Sequence, residues 1–116
     1  MGYKRTERMG ELLREEISQI LFRGIKDPRI GMISLTAVKV TGDFSIAKVY
    51  FVVNGGEEEK RRCLEGLKSA RGFIRRQLRK RLTVKTVPEV EFCYDDSLDY
   101  GDRIETLLRS IKSETT

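Results

Sequence analysis

Residues 68–85 read KSARGFIRRQLRKRLTVK. Ile74, Leu78 and Leu82 step by four, the spacing of one buried side of a helix, and Leu64, Leu67 and Ala70 continue an apolar side upstream. Gly72 interrupts this pattern at a helical cost of about 1 kcal/mol relative to alanine. The spacing therefore predicts a kink at Ala70-Arg71-Gly72 and two half-helices either side of it. Arg75, Arg76, Arg79 and Lys80 fan out on the remaining face of the wheel. The stretch holds eight basic residues and no acid, whereas the rest of the chain carries 15 basic residues against 18 acidic ones. All the positive excess of this +5 chain is thus concentrated here. Clustered charge makes a local field that attracts a polyanion; scattered charge mainly serves solubility.

Working outward, Glu57, Glu58 and Glu59 suit the first turn of the same helix, against its positive end, and Asn54-Gly55-Gly56 breaks the strand before it. Residues 33–41 and 45–54 read as β-branched-rich strands joined by Thr41-Gly42-Asp43-Phe44. In the second, Ala47, Val49, Phe51 and Val53 alternate with Ile46, Lys48, Tyr50 and Val52. One face is apolar and the other mixed, as in an antiparallel hairpin covered by helices on one side. Upstream, residues 4–24 predict a helix with an apolar stripe of Met9, Leu12, Leu13, Ile17, Ile20 and Leu21, ended by Gly24. Asp27-Pro28-Arg29 forms a turn, because the residue before proline is pushed out of helical conformation. Downstream, Val87-Pro88 ends the basic segment, and Val90, Phe92 and Tyr94 mark a third strand. Asp95-Asp96-Ser97 supplies turn and cap residues, and Ile104, Leu107, Leu108 and Ile111 predict a short final helix. The expectation is one α+β domain over residues 1–116, core about 4–112, ordered α-β-β-α(kinked)α-β with that C-terminal helix. A three-stranded sheet would carry its helices on one face.

Several function classes fall away. The chain has no histidine, the commonest acid–base and metal residue. It has no GxxxxGK[ST] phosphate loop and no GxSxG elbow. The acidic run from Glu89 to Glu105 fails as a calcium loop, since Leu98 falls on a ligand position and the closing glutamate is missing. No catalytic residue, metal or cofactor is expected. The longest apolar run, Val49 to Val53, is far short of the ~20 residues a membrane span needs, and the N-terminus shows no secretory signal. Cys63 and Cys93, thirty residues apart, read as free thiols in a reducing cytoplasm. A sequence pI near 9.4 with one clustered basic segment is the electrostatic footprint of a nucleic-acid binder.

The order of elements resembles the type II KH domain, and the residues resemble the bacterial ribosome-binding factor A family. The pieces that carry the likeness are Asp27-Pro28-Arg29-Ile30-Gly31, residues 43–50 (DFSIAKVY), Ala70-Arg71-Gly72-Phe73-Ile74-Arg75, Pro88-Glu89-Val90-Glu91-Phe92 and Asp95-Asp96-Ser97. No single piece is diagnostic, but in series they are specific. The resemblance implies a cold-shock-related cytoplasmic assembly factor that binds the free or immature 30S subunit. It implies help with late maturation and processing of 16S rRNA near its 5′ end, then dissociation before translation. KH domains usually clamp phosphates with a GxxG loop; none occurs here, and Ala70-Arg71-Gly72 stands in its place.

The expected RNA contacts are Lys68, Arg71, Arg75, Arg76, Arg79, Lys80, Arg81 and Lys85, with Arg5 and Arg8 near the N-terminus as an extension of the patch. No acid lies within 68–85, so these charges cannot pair within the segment. Arginine's planar fork matches phosphate oxygens two at a time. Phe73, at helical steps from Ala70, is expected in the core. Reversing Arg75, Arg76, Arg79 and Lys80 to glutamate is expected to spare the fold and abolish binding. The resemblance implies the 30S subunit and 16S rRNA as partners, and the expectation is a monomer with no membrane or small-molecule substrate. The alternative is a general binder of structured RNA, or a protein-interaction module using the mixed sheet face.

Overall fold

The computed structural model describes residues 2–97, which form α1 (Gly2–Gly24), β1 (Ile33–Val40), β2 (Ile46–Val53), α2 (Glu57–Arg81) and β3 (Glu89–Tyr94). The strands lie in the order β1-β2-β3. β1 and β2 are antiparallel across the short hairpin, while β3 runs parallel to β2. A parallel pair needs a long crossover, and α2 supplies it. The final helix expected around residues 104–111 lies outside the described residues.

Alternation on β2 sets the core. Ala47, Val49 and Phe51 are fully buried while Lys48 is exposed. On β3, Val90 and Phe92 pair beside Ala47 and Val49 on the same face. Leu13, Ile17 and Ile20 of α1 and Leu67, Ile74 and Leu78 of α2 close over this face. Leu12, expected in the stripe, is 40% exposed.

In β1, simple alternation would put Ile33 and Leu35 on one face and Val38 and Val40 on the other. The register shifts between Leu35 and Ala37. The extra residue, Thr36, makes a β-bulge that reverses the parity, and all four apolar side chains pack against the core. Thr36 Oγ1 then donates to Asp95 Oδ2 at 2.6 Å, tying β1 to the end of β3.

Two glycines permit close approach. A Cβ on Gly10 of α1 would lie inside contact distance of the Val38 carbonyl oxygen, and one on Gly66 of α2 would sit 2.8 Å from Ile30 Cγ1. The turn that meets Gly66 is braced internally. Asp27 accepts from the Arg29 backbone N–H at 2.9 Å and from its Nη2 at 2.7 Å. These hydrogen bonds from Arg29 hold the Asp27 carboxyl down at about 2. A carboxyl whose folded pKa lies below its unfolded 3.8 contributes stability above that value and loses it as pH falls through about 2. Asp27→Asn is therefore expected to flatten the fall of melting temperature between about pH 4 and pH 2. Thermal melts across that range check it; an unchanged acid limb would count against the brace.

The expected kink is not observed as a break. α2 is one uninterrupted helix from Glu57 to Arg81. Leu67 on one side of Gly72 and Ile74 and Leu78 on the other are fully buried. Burying three such side chains outweighs one glycine's cost of about 1 kcal/mol.

Candidate nucleic-acid interface

The cations of α2 divide into two halves. In the first, Arg61 binds Glu58 at 2.6 Å and Glu65 at 2.7 Å, and Lys60 binds Glu57 at 3.2 Å. The Glu59 carboxylate accepts from the Gly56 N–H at 2.9 Å, satisfying one free donor at the helix start. This half is nearly self-neutralised.

The second half is not. Lys68, Arg71, Arg76, Arg79 and Lys80 are exposed, as is Lys85 in the segment that follows. None of the six has a hydrogen-bond or ion-pair partner among the described residues. Burial of Ile74 and Leu78 turns the opposite side of the helix outward and with it these charges. None of the described residues therefore competes with an anion for these six.

Arg75 and Arg81 differ from expectation. Arg75 is half-buried; its Nη2 donates to the Val87 carbonyl at 3.3 Å, and its Nη1 stands 3.8 Å from Glu89 Oε1. Its Nε is buried without a partner. Arg81 Nη1 donates to Glu16 Oε2 and Gln19 Oε1, both at 3.2 Å. The segment holds no acid of its own, but acids from α1 and β3 reach it. Arg75 latches α2 to the lead-in of β3, and Arg81 latches it to α1. Reversal at Arg75 would set a carboxylate beside Glu89 and the Val87 carbonyl, so this position does not belong with the harmless reversals.

Arg5 and Arg8 are exposed on α1. Arg81 meets Glu16, while the Phe73 ring lies 3.5 Å from where a Gly24 Cβ would stand. α1 thus runs antiparallel along α2. Its first turns extend about 12 Å beyond Glu16 at Arg8, past the C-terminal end of α2. Arg5 and Arg8 thus sit on the N-terminal turns of α1, beyond its contact with Arg81.

Arg62 was not anticipated. It is exposed and makes no hydrogen bond or close ion pair among the described residues, although its charge helps hold Glu58 and Asp27 ionised, and it lies about four turns before Arg76 on nearly the same side. Its neighbours Glu58, Glu59 and Glu65 mask it in the sequence, since only the geometry shows Glu58 and Glu65 bonded to Arg61 and Glu59 to the Gly56 N–H. Phe73 is half-buried against the core, as expected.

Gly72 is exposed on the outward face, and an added Cβ would meet only Arg76 Nη1, at 3.4 Å. Gly72→Ala is expected to stabilise the protein by about 0.5–1 kcal/mol, read as a rise of a few degrees in melting temperature. A fall would mean that the glycine conformation itself is required. Burial pushes the Cys63 thiol up to about 11, both cysteines are free, and no metal-holding cluster occurs among the described residues.

The family pattern described as ribosome-binding factor A matches residues 5–108. The chain belongs to the ribosome-binding factor A family. It is 50% identical over 111 residues to ribosome-binding factor A of Geotalea uraniireducens, covering 96% of this chain and 91% of that one. Against the Halothermothrix orenii protein it is 48% identical over 114 residues, covering 98% and 93%. The crystal structure of ribosome-binding factor A from Thermus thermophilus matches with a TM-score of 0.68 at 22% identity, over 77% of this chain and 93% of that one. A homology model of the Thermus thermophilus protein, fitted into the cryo-EM map of a 30S complex, matches with a TM-score of 0.62 at 23% identity. That match covers 75% of this chain and 91% of the other. Membership of this family makes the chain a ribosome-associated factor; at these identities the two structural likenesses speak for the fold. No helix among the described residues is long and apolar enough to cross a membrane.

Proposed function

We propose that the protein is a cytoplasmic assembly factor for the small ribosomal subunit, a single-domain monomer acting by binding alone. It docks on the free or immature 30S particle and holds 16S rRNA against the outward face of α2. From there it assists late processing near the rRNA 5′ end, and it leaves before translation. The single observation that carries the RNA grip is the row Lys68, Arg71, Arg76, Arg79, Lys80 and Lys85. All are exposed and without partners among the described residues, five of them on a helix anchored from behind and Lys85 in the segment after it. Guanidinium and ammonium groups held on a fixed rod keep a spacing that can follow a phosphate backbone. Arg75 and Arg81 serve this indirectly, by fixing the rod to β3 and α1. Membership in the family supports the ribosome as the source of that RNA over structured RNA at large.

Sedimenting a lysate supplemented with the tagged protein tests the proposal. The protein is expected with free small subunits and not with translating ribosomes. An even spread over all RNA would favour the general binder, and release of nucleotides from RNA would revive a catalytic reading.

A further inference from the structure

Among the described residues outside the basic face, the most exposed large apolar side chains lie together. Phe22 on α1 is 87% exposed and Met32, just before β1, is 82% exposed. Both line one groove of about 1060 Å³ between the C-terminal half of α1 and the β1–β2 edge. No carboxylate lines it, and its one charged side chain is Arg23. Lys26 is exposed alongside without a partner among the described residues, and the nearby charge of Asp27 is committed to Arg29. Ser18, Gln19, Ser34 and Asn54 bring hydroxyl and amide groups to the walls.

We infer that this groove takes an unpaired stretch of RNA, with Phe22 stacking on a base and Arg23 and Lys26 meeting the flanking phosphates. Every base has a flat face for an exposed aromatic, and amides and hydroxyls match base edges. An apolar peptide helix would leave those wall groups unpaired and would gain nothing from Arg23 and Lys26. The groove also joins the basic face. Gln19 lines it and accepts a hydrogen bond from Arg81 at the end of α2. One RNA segment leaving α2 can therefore cross α1 at Gln19 and enter beside Phe22. The inference rests on the reading of the protein as an RNA binder and adds a second contact to it, one selective for single strands.

The test is fluorescence anisotropy of the full chain with two labelled probes, an oligouridylate of about ten nucleotides and an RNA duplex of the same length. Phe22→Ala is expected to weaken oligouridylate binding about tenfold, the scale of one base–aromatic stack, and to leave the duplex unchanged. Phe22→Trp should restore single-strand affinity. Phe22 is mostly in solvent, so neither variant should disturb folding, which thermal melts verify. If the unmodified chain does not bind oligouridylate, or Phe22→Ala changes nothing or weakens both probes alike, the groove does not take RNA. Loss of small-subunit association by Phe22→Ala with both probes unaffected would make it a protein-docking surface and also overturn the inference. The combined Arg76→Glu, Arg79→Glu and Lys80→Glu variant separates the two levels. If it binds both probes as the unmodified chain does, the reading of α2 fails, independently of the groove.

Discussion

Replacing Arg76, Arg79 and Lys80 together by glutamate is expected to lower affinity for the small subunit about 1,000-fold or more. Each hydrogen bond to a charged group contributes about 1.5–3 kcal/mol, and three lost bonds compound to that range before repulsion is added. Melting temperature should stay within a few degrees, because all three side chains are exposed and without partners among the described residues. Arg75 is left out by design. Its bond to the Val87 carbonyl and its approach to Glu89 make it part of the scaffold. Adding Arg75→Glu should lower the melting temperature, and so confuse a loss of grip with a loss of fold. Pull-down of purified small subunits, beside a thermal melt of each variant, reads both quantities. A triple variant that still binds would place the contact elsewhere on the molecule.

The second large effect concerns stability and runs against helix propensity. Gly10→Ala should destabilise, although alanine is the better helix former by about 1 kcal/mol. The added Cβ would collide with the Val38 carbonyl oxygen, a backbone atom fixed within the sheet beside the Thr36 bulge. Forcing apart α1 and β1 belongs to the overpacking class, about 1–3 kcal/mol or more. For a domain of this size that corresponds to a fall on the order of 10 °C. Gly72→Ala, in the other helix, is expected to shift the melt in the opposite direction. The contrast separates a glycine kept for close packing from one merely exposed on a face. If Gly10→Ala raised the melting temperature, α1 and β1 would not be packed as closely as described.

How much of this was legible beforehand follows from where the information lies. Alternation along β2 and the four-residue steps of Ile74 and Leu78 are local patterns, and the structure follows both. The antiparallel hairpin and the third strand were legible for the same reason. The β-bulge at Thr36 was not read from the sequence, where residues 33–41 count only as a β-branched-rich strand; the register shift shows in the pairing with β2. The kink at Gly72 was not borne out as a break, because propensity is a weak local term and the buried side chains flanking Gly72 override it. The basic segment was legible as a concentration of charge. Its division into free cations and latches was not, since Glu16, Gln19 and Val87 are brought to it only by tertiary packing. Arg62 was hidden for the converse reason, with neighbouring acids whose hydrogen bonds go to Arg61 and Gly56. Gly10 and Gly66 look like ordinary helix weaknesses until the atoms opposite them are known.

The salt dependence of binding to purified small subunits tests the central claim most directly. Six free cations meeting phosphates predict a log–log slope of about −4 to −5, taking roughly 0.7–0.9 counterions released per contact. Affinity that stays level between about 50 and 300 mM salt would contradict an electrostatic grip by α2.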